Sequence, residues 1–137
     1  MPFTITFDIR EQYNSVEEGI TIETILFLGE HSVISQAKID PGAQVCLFQR
    51  EIGEQLGIDI ESGHRIKLGS LTGGSLIAYG HSVMLNTLGL EFDSVVYFAR
   101  DYGLERNLLG REGWLNKVRL GIIDHDLTLY LSSYDRL

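Results

Sequence analysis

Short runs of alternating apolar and polar residues, separated by glycine-containing turns, follow one another along most of this sequence. Such alternation places the apolar side chains on one face of a β-strand, and the runs are too short for long helices. The pattern predicts strands over residues 4–9, 20–27, 33–39, 66–68, 76–79, 82–88, 91–98, 120–123 and 127–131. A chain patterned in this way is expected to be mostly β.

Helical spacing is found in two short segments. Apolar residues recur every four positions over residues 48–56, and Gly57 follows them as a C-terminal stop, so a short helix is predicted there. Residues 114–118 have a similar spacing and predict a second one. Because no stretch of the 137 residues reads as a linker, we expect one domain, over residues 1–137, with a single core.

The charge balance and the cysteine count bound the partners of the chain. A net charge of −8 argues against a nucleic-acid partner, since affinity for phosphates comes from clustered Lys and Arg. No apolar run approaches the roughly 20 residues that span a bilayer, so no membrane partner is expected. The single cysteine, Cys46, has no partner for an internal disulfide, which favours a reducing compartment and a cytoplasmic location.

A carboxylate stands at the end of one predicted strand, with a sharp turn directly behind it. The strand over residues 33–39 runs into Asp40, Pro41, Gly42 and Ala43. Asp-Pro-Gly is also an ordinary turn, because proline presets φ and glycine accepts positive φ. The residue before a proline prefers extended geometry, which is compatible with Asp40 ending a strand. The turn alone therefore indicates a tight bend that carries an acid.

Three motifs, taken in order, resemble the retropepsin-like aspartic proteases, specifically the small bacterial relatives of the retroviral enzymes. Ile39-Asp40-Pro41-Gly42-Ala43 is similar to their active-site turn. Leu71-Thr72-Gly73-Gly74-Ser75 is similar to their glycine-rich flap tip, and Leu108-Leu109-Gly110-Arg111 to the motif that packs beneath the active site. Each motif is weak alone, but their order and spacing are fairly specific, and the similarity covers about residues 33–131.

This resemblance implies a closed acid-protease barrel with one or two short helices, forming half of a homodimer, with its core over about residues 20–131. It implies an aspartic endopeptidase that acts on a peptide or protein substrate without a cofactor or metal. Asp40 of each chain would be catalytic, within the active-site turn of Pro41, Gly42 and Ala43. The residues Leu71, Thr72, Gly73, Gly74 and Ser75 would form a flap that binds substrate. Support beneath the active site would come from Leu109, Gly110 and Arg111.

The chemistry explains why a second copy is required. Two carboxylates about 3 Å apart share one proton, because like charges at that distance do not both ionise. One of them then takes a proton from water while the other polarises the scissile carbonyl. Of the two Asp-x-Gly sequences, Asp101-Tyr102-Gly103 lies in a predicted polar loop, which leaves Asp40-Pro41-Gly42 as the candidate. The chain also has about half the length of a two-lobed enzyme. Two-fold symmetry would bring Asp40 of two chains together.

Pro41 departs from the family pattern and leaves other readings open. The family has Thr or Ser at this position, whose hydroxyl donates across the dimer axis, whereas proline has neither hydroxyl nor N–H. The alternative function is a retropepsin-fold module for peptide binding or dimerisation, with weak or no catalysis. A third reading keeps the fold but dimerises differently, which leaves the two Asp40 side chains apart.

Other reactive side chains have less specific patterns. No signature pairs Cys46 with a histidine, so a buried small apolar residue is expected there. His81 and His125 match no zinc or calcium spacing, and no metal site is predicted. Trp114 is expected in the core, and Arg111 is expected to pair with a neighbouring acid.

Overall fold

The computed structural model describes residues 1–16, 18–69 and 73–137. As the alternation predicts, the fold is mostly β, with a single α-helix among the described residues, α1 (Arg50–Gln55). The strands are β1 (Ile9–Gln12), β2 (Thr21–Leu28), β3 (His31–Ile39), β4 (Leu47–Phe48), β5 (His64–Gly69), β6 (Ser75–Thr87), β7 (Leu90–Ala99), β8 (Asn107–Leu109), β9 (Val118–Ile123) and β10 (Thr128–Ser133). Short 3-10 turns lie at Ile60–Ser62, Leu115–Lys117 and Asp124–Asp126.

Six strands close into a mixed barrel, in the order β2-β3-β8-β4-β7-β6. The ring closes because the C-terminal part of β6 pairs antiparallel with β2, from Thr24↔Thr87 to Phe27↔Met84. The N-terminal part of β6 pairs instead with β5, which stands outside the ring. Inside the barrel lie large side chains that are fully buried, among them Phe48, Phe98, Leu26, Leu85 and Leu109.

The short strand β8 positions the site, because it lies between two strands that follow each other in the sequence. It pairs in parallel with β3, with Ile39 opposite Leu109, and antiparallel with β4, with Leu47 opposite Leu108. The connection from β3 to β4 therefore has to pass around the end of β8. That connection contains Asp40.

The first predicted helix is present but shorter than its apolar spacing suggests. Phe48 belongs to β4, where it pairs with Phe98 of β7, so α1 begins only at Arg50. The helix ends at Gln55 with Leu56 as its C-cap, directly before the predicted stop Gly57, whose φ of +79° is strained for other residues. The Gly57 N–H donates to the Glu54 carbonyl at 2.9 Å and completes the last turn.

The second predicted helix is wrong, because a tight turn replaces it. Gly113 has a φ of +105°, and a Cβ there would lie 2.9 Å from both Ser94 Oγ and the Val95 carbonyl oxygen. Trp114 is fully buried, as expected, and its indole N–H donates to the Thr87 hydroxyl at 3.0 Å. Only one 3-10 turn follows before Val118 enters β9. The apolar spacing of residues 114–118 therefore does not come from one face of a helix.

The N-terminal strand was predicted too early in the sequence. β1 begins at Ile9, which pairs with Leu131 of β10, and β10 also pairs with β9. The Asp8 N–H donates to the Ser132 hydroxyl at 2.6 Å instead of a ladder carbonyl, which ends the pairing. Phe3 and Ile5, whose alternation suggested a strand, are exposed. Among the described residues, no helix is long and apolar enough to cross a membrane.

Candidate active site

Asp40 extends the parallel pairing of β3 and β8 by one residue. Its N–H donates to the Leu109 carbonyl at 3.0 Å, directly after the pairing of Ile39 with Leu109. Ile39 and Leu109 are buried in the barrel, whereas Asp40 is half-buried. The carboxylate therefore stands at the end of a core strand, on a backbone held by the neighbouring strand.

Two hydrogen bonds fold the chain sharply behind Asp40. The Ala43 N–H donates to the Asp40 carbonyl at 3.1 Å, and the Gly42 N–H donates to Asp40 Oδ1 at 2.9 Å. Neither bond uses an N–H at position 41, so Pro41 fits the turn without losing a donor. Pro41 and Gly42 are exposed.

Gly42 is suited to this turn mainly for a steric reason. Its φ is not among the positive values in the chain, so the left-handed freedom of glycine is not what the position requires. A Cβ at Gly42 would lie 3.2 Å from Asp40 Oδ1, which is tighter than ordinary contact. A side chain here would crowd the carboxylate and weaken the bond from the Gly42 N–H.

The segment after β8 holds the far side of the same turn. The Arg111 N–H donates to the Ala43 carbonyl at 2.9 Å, and the Glu112 N–H donates to the Gln44 carbonyl at 2.8 Å. Gly110 lies where the two segments touch, because a Cβ there would be 2.1 Å from the Val45 carbonyl oxygen. The structure thus brings the Asp40 turn and the Leu109-Gly110-Arg111 motif together through backbone contacts.

The Arg111 side chain does not form the predicted ion pair. Its guanidinium has no salt bridge with any residue in the described part of the chain, and the residue is exposed. The contact between the motif and the turn is made by the Arg111 backbone instead. A basic side chain is therefore left in solvent beside the Asp40 turn.

The proposed flap lies only partly within the described residues. Leu71 and Thr72 fall outside them, while Gly73 has a φ of +85° and Ser75 begins β6. The two arms, β5 and β6, pair antiparallel up to Gly69 opposite Ser75. The Gly-Gly sequence at 73–74 therefore belongs to a hairpin connection, as its composition predicted.

Cys46 lies beneath the turn and is unsuited to nucleophilic chemistry. It is fully buried, and burial raises the pKa of its thiol to about 12, although a hydrogen bond with the Gly110 backbone acts in the opposite direction. A thiol with such a pKa is almost entirely protonated at neutral pH. Cys46 therefore acts as a small apolar residue, as its sequence context predicted.

The two histidines considered from the sequence are His81, which forms a hydrogen bond to the backbone, and His125, which lies in a surface turn. His81 Nε2 is hydrogen-bonded to the Ile60 carbonyl at 2.8 Å. His125 lies in the exposed turn Asp124–Asp126. In the same turn, Asp124 accepts a hydrogen bond from the Tyr13 hydroxyl, and this bond raises the pKa of Tyr13 to about 12. Among residues 1–16, 18–69 and 73–137, no group of three or more His, Cys, Asp or Glu side chains is arranged to hold a metal ion.

Asn107 is a positioning residue that the sequence reading missed. Its side chain is buried and bridges β3 and the start of α1, because Nδ2 donates to the Gln36 carbonyl at 3.0 Å and Oδ1 accepts from the Gln49 N–H at 2.9 Å. These bonds fix β8 between β3 and the start of α1. The sequence signal for this role is an amide residue directly before the apolar pair Leu108-Leu109, since an amide that is buried with its apolar neighbours has to find hydrogen-bond partners.

Comparison with known proteins identifies the fold. No protein-family model matches the sequence, and no curated protein matches it significantly. The structure is similar to a retropepsin-like aspartic protease from Rickettsia conorii, with a TM-score of 0.67 and 19% identity over 93% of this chain and 96% of that one. It is also similar to EIAV protease complexed with the inhibitor HBY-793, with a TM-score of 0.53 and 15% identity over 72% of this chain and 86% of that one. The chain therefore has the retropepsin-like fold that its three motifs predicted.

Proposed function

We propose that two copies of this chain form an aspartic endopeptidase whose catalytic dyad consists of Asp40 from each copy. One observation carries the proposal. Asp40 ends a core strand in a retropepsin-like fold, and its turn is hydrogen-bonded on one side to Leu109 and on the other to Arg111. The backbone on both sides of this carboxylate is therefore held by a segment that is distant in sequence.

The proposed chemistry follows from a shared proton. The ionised Asp40 takes a proton from a water molecule as the water oxygen attacks the scissile carbonyl carbon. The protonated Asp40 of the other copy donates to the carbonyl oxygen, which gives a tetrahedral diol. Proton transfer to the amide nitrogen then allows the C–N bond to break, and the shared proton returns to the pair. The reaction consumes one water and needs no cofactor.

Substrate binding is assigned to the surfaces around the turn. We place the connection of the β5–β6 hairpin over the substrate as a flap, because glycine lets backbone amides approach a peptide closely. The peptide would be extended and held by strand-like hydrogen bonds. The proposal includes Gly73, Gly74 and Ser75, together with Leu71 and Thr72.

The first test replaces the carboxylate by its isosteric amide. Asp40→Asn should abolish cleavage of a broad peptide library assayed from pH 3 to pH 10, while the melting temperature changes little. Asp93→Asn is the matched control, because Asp93 is an exposed aspartate on β7. An Asp40→Asn variant that cleaves at the rate of the unmodified protein contradicts the proposal, as does activity confined to alkaline pH.

A mixing experiment tests whether the site is shared between two chains. When equal amounts of unmodified and Asp40→Asn chains exchange subunits, about a quarter of the dimers contain two Asp40 residues. Activity per total protein should then fall to about a quarter of that of the unmodified dimer. A fall to only one half would show that each chain acts alone.

Pro41 supports a second candidate function, that of a peptide-binding or dimerisation module with little catalysis. Pro41 is exposed and offers no hydroxyl to a partner chain. A monomer at micromolar concentration that cleaves no peptide at any pH would favour this alternative. Pro41→Thr should then strengthen dimerisation, as measured by analytical ultracentrifugation, because it restores a side-chain donor.

A further inference from the structure

The β5–β6 hairpin, which carries the proposed flap, extends past the end of β7. The ladder between β6 and β7 ends at Ala78 opposite Ala99, and one further bond, from the Arg100 N–H to the Ile77 carbonyl, follows at 2.8 Å. In the described part of the chain, β5 pairs with β6 and with no other strand. The direction of the hairpin relative to the barrel therefore depends on how its base is held.

The 3-10 turn Ile60–Ser62 forms one side of that base, because it leads directly into β5. His81 of β6 is hydrogen-bonded to the Ile60 carbonyl at 2.8 Å. Gly63 approaches β6 so closely that a Cβ there would lie 2.3 Å from the Gly80 carbonyl oxygen. The turn is thus fastened to both strands of the hairpin, and a displacement of the turn displaces the hairpin with it.

Arg50, the first residue of α1, joins this turn to the barrel. Its Nη1 and Nη2 donate to the two carboxylate oxygens of Glu61 at 2.7 and 2.8 Å. Such a bidentate pair fixes the orientation of the carboxylate as well as its position. The same Nη1 donates to the Arg100 carbonyl at 2.9 Å. One guanidinium therefore connects the turn before β5 to the end of β7.

The guanidinium of Arg50 is itself held from other sides. Its Nε donates to Glu54 Oε2 at 3.2 Å, and the centre of the Tyr102 ring lies 5.6 Å from its central carbon. The Tyr102 hydroxyl donates to Glu54 at 2.7 Å. Isolated ion pairs in solvent contribute little, but the Arg50 side chain is only 17% exposed. Arg50 is therefore the centre of a network that has little freedom to rearrange.

We propose that Arg50 is a positioning residue that, through Glu61, holds the β5–β6 hairpin in the place where it binds a peptide. This inference rests on the proposed function of Asp40 and of the hairpin. The chain leaves the Asp40 turn through β4 and enters α1 at Arg50, so the residue ties the hairpin to the segment that carries the carboxylate. When the tie is lost, the hairpin occupies its binding position for a smaller fraction of the time, and the apparent affinity for a peptide falls by that fraction.

Amide hydrogen exchange, followed by NMR, tests the positioning without any activity. The N–H groups of Ser62, Gly63 and Arg100 are hydrogen-bonded at the base of the hairpin. Arg50→Met should raise their exchange rates about tenfold, the size expected for the loss of one charge-assisted hydrogen bond, and leave β2, β3 and β10 unchanged. Unchanged exchange at the base overturns the inference, and so does an equal rise throughout the barrel, which would show that Arg50 only stabilises the whole fold.

Peptide cleavage tests the consequence for binding. On a peptide that the unmodified protein cleaves, Arg50→Met should raise KM about tenfold and leave kcat within about twofold, because a peptide once bound meets the same Asp40 turn. Glu61→Gln should also raise KM, and the double variant should raise it no further than Arg50→Met alone, since the two residues act through one contact. An unchanged KM in Arg50→Met, or a fall in kcat alone, contradicts the proposed role.

The matched control is Arg106→Met, which removes an arginine with the same kinds of contact. The Arg106 guanidinium donates to one carboxylate oxygen and to the backbone carbonyl of Glu18, both at 3.0 Å. This variant should leave both KM and the exchange of the three amides at the hairpin base unchanged. A rise equal to that in Arg50→Met would show that the loss of any such arginine has this effect, which overturns the inference.

The outcomes separate this inference from the proposed function. Cleavage by Arg50→Met with unchanged KM and unchanged exchange leaves the protease and refutes the role of Arg50. Where the unmodified protein cleaves nothing, the proposed function fails, and binding of a fluorescein-labelled octapeptide of Ala, Leu and Phe replaces KM as the measurement. Binding about tenfold weaker in Arg50→Met supports the inference, whereas equal affinity, or no binding to either protein, overturns it.

Discussion

Replacing Gly110 by alanine should disrupt the contact between the Asp40 turn and the segment after β8. The new Cβ would lie 2.1 Å from the Val45 carbonyl oxygen and 2.8 Å from the Ala43 carbonyl oxygen. Both atoms belong to backbone, so no rotation of a side chain relieves the overlap. The two segments have to separate, which lengthens the hydrogen bond from the Arg111 N–H to the Ala43 carbonyl.

The size of the effect combines two contributions. Overpacking against a fixed backbone costs about 1 to 3 kcal/mol. Each of the two backbone hydrogen bonds across the contact contributes about 1 kcal/mol. The free energy of unfolding should therefore fall by about 3 to 5 kcal/mol, a large share of the 5 to 15 kcal/mol that stabilises a typical domain.

Urea unfolding, followed by the fluorescence of the single tryptophan Trp114, measures this change. With a slope of about 1.5 kcal/mol per molar urea, the midpoint should fall by about 2 M or more. Gly69→Ala is the matched control, because a Cβ at Gly69 meets no atom of residues 1–16, 18–69 or 73–137 within 4 Å, and its effect should stay within about 0.5 kcal/mol. A Gly110→Ala midpoint equal to that of this control would refute the close contact between the turn and β8.

Three further perturbations probe other parts of the structure. Asn107→Ala leaves two backbone groups without their partner and should lower the free energy of unfolding by about 2 kcal/mol in urea titrations; a neutral effect would show that Asn107 does not bridge β3 and α1. Hydrogen bonds from Arg50 lower the pKa of Glu61 below its ordinary value of 4.5 in the folded state. The stability that this pair contributes is therefore fully present above that pH and is lost as the pH falls through the lowered pKa, so Glu61→Gln should destabilise most at pH 7 and progressively less below pH 4.5, unlike the exposed control Glu30→Gln. Cys46 should react with a disulfide reagent at pH 8 about a thousandfold more slowly than free cysteine until the protein unfolds; rapid labelling of the native protein would contradict its burial.

The sequence predicts most of the fold because the relevant signals are local. Alternation specifies which face of β3 is buried, and the Asp-Pro-Gly sequence specifies the turn at Asp40. Glycine signals the connections after β2 and β6, where Gly29 and Gly89 have positive φ values. The three motifs, at residues 39–43, 71–75 and 108–111, predict the fold class, as the similarity to solved structures confirms.

The remaining features depend on partners that are distant in sequence. The turn at Gly113 follows from packing against Ser94 and Val95, which apolar spacing around Trp114 does not encode. The start of β1 depends on the Ser132 hydroxyl. The ion pair of Arg106 with Glu18 likewise joins opposite ends of the chain. No local pattern in the sequence reveals such pairings.

The position of β8 also imposes an order of assembly. A nascent chain that has emerged only through β7 already contains Asp40, yet the place between β3 and β4 is still vacant. Contacts between residues so far apart in sequence form late and slowly, because a long loop has to close first. The Asp40 turn therefore reaches its final geometry only after residues 107–112 have been synthesised and inserted. Whatever chemistry Asp40 performs is thereby reserved for a chain in which β8 and the segment after it have already been made and inserted.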